Sequence, residues 1–205
     1  MQKILYLAFN RSVKLEAEQK FAATGVTNVK VETAHSLAFD HIVKCSGYNV
    51  IQGYKSYDWV EILGIQGGGR HIDYMIGNHV NRFISYFCNS TELKVNSFNS
   101  LNAVTEPKAK QFAENFYDAI ENYTRQALAK MNKDEIDITH DFYLKKFQLS
   151  TPQLHYDYIL FDEGQDASAA MLNIFLHQTS IKIMVGDGAS ANIWLALCGK
   201  QFAAG

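Results

Sequence analysis

The sequence predicts an α/β fold in which a parallel sheet is interrupted by a helical insertion. The chain opens on an apolar strand, a helix and a second strand, and two further apolar strands follow after residue 155. Between these two parts, about 100 residues show helical rather than strand periodicity. A strand-helix-strand order with short connections is typical of parallel sheets.

The first elements follow from the spacing of apolar residues. Residues 4–9 form a continuous apolar run, which is typical of a strand covered on both faces. Residues 12–23 mix apolar and charged side chains at helical spacing, with Ser12 as the candidate N-cap. Residues 28–32 alternate as a second strand, and residues 33–43 have the spacing of a second helix.

The inserted region differs in texture from the rest of the chain. Residues 45–77 are rich in glycine and tyrosine, and Gly67-Gly68-Gly69-Arg70 indicates a loop, because no strand precedes it and no Gly-Lys-Ser/Thr follows. Residues 78–87 and 108–131 are predicted to form amphipathic helices. The aromatic residues between positions 48 and 59 could stack on bases or pack a small subdomain: Tyr48, Tyr54, Tyr57 and Trp59.

The α/β pattern resumes near the C-terminus. Residues 156–161 and 181–185 are predicted strands, with a helix over residues 171–177 between them. Both strands end in acids, since Asp162 and Glu163 follow the first and Asp187 follows the second. Ligands of parallel sheets collect at the carboxyl ends of strands, which makes these acids candidates for function.

These carboxylates have a chemical use and a structural alternative. An aspartate at a strand end can hold a magnesium ion through its water shell, and a neighbouring glutamate can orient and deprotonate the water that attacks a terminal phosphate. The alternative is that Asp162, Glu163 and Asp166 only favour the N-terminus of the following helix through its dipole. Gln165 and Asp166 at their fixed spacing favour the functional interpretation.

Composition excludes several classes of protein. The 205 residues are 47% hydrophobic and 20% charged, with a formal charge of −2. The molecule therefore has no overall positive field, although a local groove can still be basic. No apolar run approaches the length of a membrane span, and no signal peptide is evident, so a soluble intracellular protein, cytoplasmic or nucleoid-associated, is expected.

Four segments in order resemble motifs of superfamily 1 DNA helicases of the UvrD/Rep class, and within it the F-box DNA helicase branch. The sequence Asp162-Glu163-Gly164-Gln165-Asp166 after an apolar strand is similar to motif II, Asp-Glu-x-Gln-Asp. Residues 138–145 resemble the segment that precedes motif II in the F-box branch. The other matches are residues 7–13 to motif Ia, 33–38 to motif Ib and 185–187 to the start of motif III.

The resemblance implies roles for individual residues and two cofactors, ATP and Mg²⁺. Asp162 would coordinate magnesium and Glu163 would be the catalytic base. Gln165 would sense the γ-phosphate and couple hydrolysis to movement, and Asp187 would join the nucleotide site. The implied activity is ATP hydrolysis that drives translocation on single-stranded DNA and duplex unwinding, with DNA repair as the associated process.

The same resemblance implies that Phe9, Asn10, Thr33 and His35 lie along single-stranded DNA. An aromatic or imidazole face can stack on a base, and small polar groups can reach phosphates. For Phe9, a core position at the end of a buried strand is an equal alternative. His35 opens a helix after a threonine, which points donors at a phosphate.

The implied architecture is a partial RecA-like P-loop NTPase domain 1A formed by residues 1–43 and 138–188. Residues 44–137 would be the helical insertion, similar to subdomain 1B. The family's phosphate loop, Gly-x-x-x-x-Gly-Lys-Ser/Thr, does not occur in the sequence, so the chain alone is expected to be inactive. A non-catalytic remnant that binds single-stranded DNA or a partner, and an inactive pseudogene product, are the alternatives.

Motif III departs from the family after Asp187. Read one nucleotide later, synonymous codons from Ala189 onward can encode the Gln-Gln-Ile-Tyr-Gly-Trp that the family has there. We therefore interpret residues 189–205 as an out-of-frame tail of a damaged gene or of an error in its reading, and expect a piece cut at both ends. The coding DNA decides this, because the shifted frame must spell that sequence.

Overall fold

The computed structural model describes residues 2–186, which belong to two compact units. Within the described residues, the first unit comprises residues 2–37 and 152–186, and the second comprises residues 38–151. The predictions for Asp187 and for the tail of residues 189–205 fall outside the described residues. None of the helices within residues 2–186 has both the length and the apolar character that crossing a membrane requires.

The regular elements alternate between short strands and helices. Short 3₁₀ turns lie at Val95–Ser97, Ser100–Ala103 and Gly164–Asp166, and Phe39–Val43 is a π-helical segment. In chain order the strands and α-helices are β1 (Ile4–Ala8), α1 (Arg11–Ala23), β2 (Val29–Thr33), α2 (Ala34–Ala38), α3 (Lys44–Ser46), β3 (Val50–Ile51), α4 (Ser56–Leu63), α5 (Arg70–Asn89), α6 (Pro107–Asn115), α7 (Tyr117–Asn132), β4 (Ile138–Thr139), α8 (His140–Leu149), β5 (Tyr158–Phe161), α9 (Ala169–Leu176) and β6 (Ile181–Met184).

The first unit contains a parallel sheet with strand order β2-β1-β5-β6 among the described residues. Tyr6 of β1 lies opposite Val31 on one side and Leu160 on the other, and Leu160 lies opposite Ile183. Because all these strands are parallel, their carboxyl ends lie at one edge. The predicted α/β class is confirmed, and the sheet agrees with the partial RecA-like domain that the resemblance implies.

The two faces of the sheet are covered to different extents. On one face, Leu5, Leu7, Ile159 and Phe161 are at most 3% exposed, and Phe161 packs edge-on against Phe175 of α9. On the other face, Ile4, Tyr6 and the side chains of β5 are half-buried while Ala8 is 1% exposed, and α1 packs against β1 and β2. Strand β1 is therefore covered on both faces, as predicted, but more completely on the face that carries Leu5 and Leu7.

Strand β6 differs from its neighbours because its apolar side chains are exposed. Ile181, Ile183 and Val185 are 57%, 44% and 55% exposed within the described part of the chain. They occupy alternate positions and so lie on one face, while the strand itself is at the border of the sheet that residues 2–186 form.

The second unit is mainly helical and is built around α5. Helix α5 runs from Arg70 to Asn89, longer than the predicted 78–87, because Gly77 does not break it. A Cβ at Gly77 would lie 2.5 Å from the carbonyl oxygen of Ser56, so the close approach of α4 requires glycine there. The predicted helix over 108–131 is two helices, α6 and α7, which meet at Phe116.

Two contacts in the second unit join elements that are far apart in the sequence. Strands β3 and β4 form a parallel pair, with Val50 opposite Ile138, which was not predicted because two-residue strands leave no periodicity. Helix α8 packs against α5 and against the π-helical segment, where Tyr143 lies edge-on to Phe39 at 5.9 Å. The boundaries of the two units therefore differ from the predicted residues 44–137, and the identification with subdomains 1A and 1B stays a prediction.

The helix predicted over residues 33–43 is longer and less regular than expected. It begins as α2 at Ala34, passes through the π-helical segment and ends with α3 at Ser46. Gly47 then adopts φ 75°, a left-handed conformation that commonly ends helices.

Candidate nucleotide and DNA site at the carboxyl edge of the sheet

Asp162 is the first residue after β5, and its backbone and side chain are both held. Its N–H donates to the carbonyl oxygen of Leu7 at 3.0 Å, which extends the pairing with β1 by one residue. The Tyr6 hydroxyl donates to Oδ2 of Asp162 at 2.5 Å, and the Glu163 N–H donates to Oδ1 at 3.1 Å. Both carboxylate oxygens therefore have a donor that fixes the side chain at the sheet edge.

Glu163 has an unusual backbone conformation. Its φ of 51° and ψ of 43° place it in the left-handed region, which costs a residue with a Cβ on the order of 1 kcal/mol. The backbone then turns into the short 3₁₀ helix, where the Asp166 N–H donates to the Glu163 carbonyl at 3.0 Å. Strain of this kind often occurs where side chains must be aimed at a ligand.

Gln165 and Glu163 are connected directly, since Nε2 of Gln165 donates to Oε2 of Glu163. The turn also packs closely on the end of β6. A Cβ on Gly164 would overlap the side chain of Met184, and a Cβ on Gly186 would overlap Oε1 of Gln165. The two glycines thus allow the acidic turn to lie directly against the residues that follow β6.

Tyr6 is a site residue that sequence reasoning missed. Burial raises the pKa of its hydroxyl above the ordinary value, and the hydrogen bond to Asp162 and the charge of that carboxylate raise it further. The ring packs edge-on against Phe21 of α1 at 5.6 Å. The signal was a polar-tipped aromatic inside an apolar strand, but its partner becomes apparent only when β1 and β5 are paired.

The helix-dipole alternative for the acids does not fit α9. That helix begins at Ala169 and is capped by Ser168, whose Oγ accepts from the Met171 N–H at 3.3 Å. Asp162, Glu163 and Asp166 all precede its N-cap and so lie outside its first turn, beyond which the effect of the dipole falls off. Their position is better explained by the turn that they form after β5.

Phe9 and Asn10 follow β1 at the same edge. Phe9 is 36% exposed, so it is not the core aromatic that the sequence also allowed. The Oδ1 atom of Asn10 accepts from the Val13 N–H at 3.0 Å, which makes Asn10 the N-cap of α1 in place of the expected Ser12.

Thr33 and His35 lie at the junction of β2 and α2. Oγ1 of Thr33 accepts from the Ser36 N–H at 3.1 Å, and the Thr33 N–H donates to Oγ of Ser36 at 3.1 Å. These reciprocal bonds resemble a capping box and give Thr33 a structural role. His35 is half-buried in the first turn of α2 and also has an interaction with the protein.

The parallel register brings the two predicted groups to neighbouring strand ends. Phe9 and Asn10 follow β1, the strand that pairs with β5 on one side and with β2 on the other. Asp162 follows β5, and Thr33 is the last residue of β2. The predicted nucleotide residues and the predicted DNA residues thus share one edge, while their roles stay predictions.

The acidic turn offers few protein ligands for a metal. Within residues 2–186, no three His, Cys, Asp or Glu side chains form a group that could hold an ion. Magnesium commonly takes one or two carboxylates and completes its shell with phosphate oxygens and waters. Each oxygen of Asp162 accepts one hydrogen bond and retains a lone pair, so the donor set fits an ion held mainly by phosphate and water.

The aromatic residues of the inserted region differ in exposure. Trp59 is fully buried, its ring lies 4.4 Å from that of Tyr54, and its Nε1 donates to Asn81 at 3.1 Å. Packing, one of the two sequence interpretations, therefore accounts for Trp59. Tyr57 remains 52% exposed.

No family model matches the sequence, but curated proteins similar to it include two F-box DNA helicases. The chain is 32% identical over 200 residues to F-box DNA helicase 1 of Gallus gallus, covering 89% of this chain and 19% of that protein. It is 26% identical over 209 residues to F-box DNA helicase protein 1 of Schizosaccharomyces pombe, covering 90% of this chain and 22% of that protein. The chain thus spans about a fifth of the length of the curated relatives it matches.

Proposed function

This chain is a relative of the F-box DNA helicases, and we propose that it is a helicase fragment whose carboxyl sheet edge binds nucleotide phosphates and single-stranded DNA. The observation that carries the proposal is the turn after β5, where Asp162, Glu163 and Gln165 lie next to the ends of β1 and β6. In a complete helicase, ATP hydrolysis at this edge drives translocation on single-stranded DNA and separation of the duplex.

Each residue of the turn has a role that its contacts suit. Asp162, fixed by the Tyr6 hydroxyl, presents a carboxylate to magnesium through the ion's water shell. Magnesium, when bound, neutralises charge on the phosphates. Glu163 orients the attacking water and accepts its proton, and its bond to Gln165 links this base to a neutral side chain that can respond to the γ-phosphate. Asp187 remains a predicted member of this site.

The sequence lacks the pattern Gly-x-x-x-x-Gly-Lys-Ser/Thr, whose amides and lysine cradle the β- and γ-phosphates in P-loop enzymes. We therefore expect no ATP hydrolysis from the chain alone. This observation favours the second candidate function, a non-catalytic remnant that retains single-stranded DNA binding. Both candidates require the DNA-binding residues at the ends of β1 and β2.

Binding of an oligothymidine of about 20 nucleotides, measured by fluorescence anisotropy at several salt concentrations, tests the DNA-binding part. Phe9→Ala should weaken binding about fivefold or more, because a stacked base contributes about 1–3 kcal/mol. Val26→Ala is the matched control, since Val26 is 38% exposed, close to the 36% of Phe9, and lies in the turn before β2 at the opposite edge.

Four outcomes decide among the candidates. Salt-dependent DNA binding that Phe9→Ala weakens, without ATP hydrolysis, supports the non-catalytic DNA-binding remnant. ATP hydrolysis that Glu163→Gln abolishes supports the catalytic helicase fragment. Hydrolysis that survives Glu163→Gln overturns the assigned base. A chain that neither binds oligothymidine nor hydrolyses ATP is the inactive product, and the proposed function is then wrong.

A further inference from the structure

A groove in the second unit lies between helices α7 and α8, both of which pack against α5. Its volume is about 460 Å³, and residues 93–96, which follow α5, also line it. Two helices with a third as the floor leave a channel of the kind that accepts a further helix. None of the residues that line the groove belongs to the strand ends or to the acidic turn, so a role of the groove does not depend on the proposed function.

The floor and the lips of the groove are apolar. Phe87 of α5, Leu128 of α7 and Phe142 of α8 contribute to the lining. Leu93 and Leu149 stand at its border and are 67% and 41% exposed, which is costly for leucines that face only water. The aromatic rings are only 5% exposed, so they offer no open face on which a nucleic acid base could stack.

The charged side chains that line the groove are all cations, with no carboxylate among the lining residues. They come from three parts of the unit: Lys94 from the loop, Arg125 from α7, and Lys145 and Lys146 from α8. Arg125 is partly compensated by Glu121 at 3.3 Å. Lys94 is exposed and forms no ion pair within residues 2–186.

Two of these cations are fixed in place by neutral groups. The ammonium of Lys145, on a side chain that is 2% exposed, donates to the Ser90 carbonyl at 2.9 Å and lies 4.6 Å from the centre of the Phe87 ring. Lys146 donates to the Tyr48 hydroxyl at 2.8 Å and to Asn132 at 2.9 Å. These hydrogen-bond partners carry no negative charge, and Glu92, which acts on Lys145 through its charge, does not line the groove. The positive charge along the groove is therefore only partly offset.

We propose that the groove between α7 and α8 binds an amphipathic helix of a partner protein that carries leucine-like side chains on one face and carboxylates beside them. The apolar side chains cover Leu93 and Leu149 and reach the floor of the groove. The carboxylates lie next to Lys94 and Lys146, where the protein supplies cations and no acids. Aliphatic lips favour a peptide helix over single-stranded DNA, whose bases commonly stack on open aromatic faces.

The test uses the full chain and a fluorescein-labelled synthetic peptide of about 16 residues, with leucines at helical spacing and glutamate and alanine elsewhere. One control peptide has the same composition in scrambled order, and a second has lysine in place of each glutamate. Fluorescence anisotropy should show saturable binding of the acidic helix, with both controls bound about tenfold more weakly or worse.

Substitutions test whether the acidic peptide binds in the groove. Lys94→Glu should weaken the affinity for the acidic peptide about fivefold, since an attraction between exposed charges becomes a repulsion. Lys110→Glu, on the exposed face of α6, should leave the affinity unchanged. Leu149→Asp should weaken it about tenfold, with Leu15→Asp as the control on an exposed leucine of α1. Circular dichroism checks that each variant is folded. If Leu149→Asp unfolds, the test rests on Lys94→Glu, which is a change at the surface.

Three results would overturn the proposal. One is the absence of saturable binding up to about 1 mM acidic peptide, a concentration at which even weak helix docking is measurable. Another is an equal loss of affinity in Lys94→Glu and Lys110→Glu. The third is displacement of the peptide by oligothymidine in the wild type together with loss of oligothymidine binding in Lys94→Glu, which would make the groove a nucleic acid site.

Discussion

Replacing Tyr6 by phenylalanine tests how firmly the sheet holds the acidic turn. The change removes the hydroxyl that donates to Asp162 at 2.5 Å and keeps the ring that packs on Phe21. A hydrogen bond to a charged group contributes about 1.5–3 kcal/mol, and because the pair is only half-buried we expect a loss near the lower value, about 1.5 kcal/mol. For a chain of this size, the midpoint of thermal unfolding should fall by about 3–6 °C.

The effect of Tyr6→Phe should also depend on pH. The pKa of Tyr6 is raised in the folded state, chiefly by burial, so the unfolded state releases this proton first as pH rises. The stability that the hydroxyl provides is therefore complete below about pH 10, the ordinary tyrosine value, and decreases above it. Wild type should lose stability faster than Tyr6→Phe in that range.

The assay is urea unfolding followed by circular dichroism at several pH values, with Tyr74→Phe as control. Tyr74 is 39% exposed on α5, and its hydroxyl makes no hydrogen bond within the structure that residues 2–186 form. Equal stability of wild type and Tyr6→Phe at neutral pH, or equal losses in the two variants, would refute the reasoning that Tyr6 fixes Asp162.

Three substitutions in the helical unit have defined outcomes, each measured by urea unfolding. Gly77→Ala should cost about 2 kcal/mol because its Cβ would lie 2.5 Å from the first carbonyl oxygen of α4, whereas Gly69→Ala, with open space around its Cβ, should change stability by less than about 0.5 kcal/mol. Thr124→Val should stabilise the protein by about 1 kcal/mol, because the fully buried Thr124 hydroxyl has no hydrogen-bond partner in the described structure; a destabilised variant contradicts this. Burial lowers the pKa of Lys145 to about 8, so the unfolded state binds more protons between about pH 8 and 10.4 and stability should rise with pH there. Lys145→Met should abolish this rise, and an unchanged pH profile would show that Lys145 is not its source.

The sequence predicts the sheet better than the helices because local apolar runs mark the strands directly. The runs over 4–9, 28–32 and 181–185 each coincide with an observed strand to within one residue at either end. The helical part is less predictable, since Gly77 has the appearance of a helix breaker and its reason is the distant approach of α4. Tertiary contacts of that kind leave no periodic signal.

The site shows the same division between local and distant information. The acids after β5 are visible from the sequence because they directly follow an apolar run. The support that Tyr6 gives to Asp162 is not, because it depends on the pairing of strands separated by 156 positions. The reciprocal bonds of Thr33 and Ser36 could be anticipated from their three-residue spacing, which favours a capping box.

The central claim is that the turn after β5 holds a metal ion together with nucleotide phosphates. Manganese, used as a paramagnetic substitute for magnesium, tests it by NMR on the full chain with ATP. The account predicts that backbone amide signals of residues 162–166 broaden on addition of manganese and ATP, that Asp162→Asn abolishes this, and that Asp157→Asn preserves it. Asp157 lies just before β5 at the opposite edge, where it accepts from the Lys3 N–H at 2.7 Å. Broadening that persists in Asp162→Asn, or that is absent in the wild type, would contradict the claim.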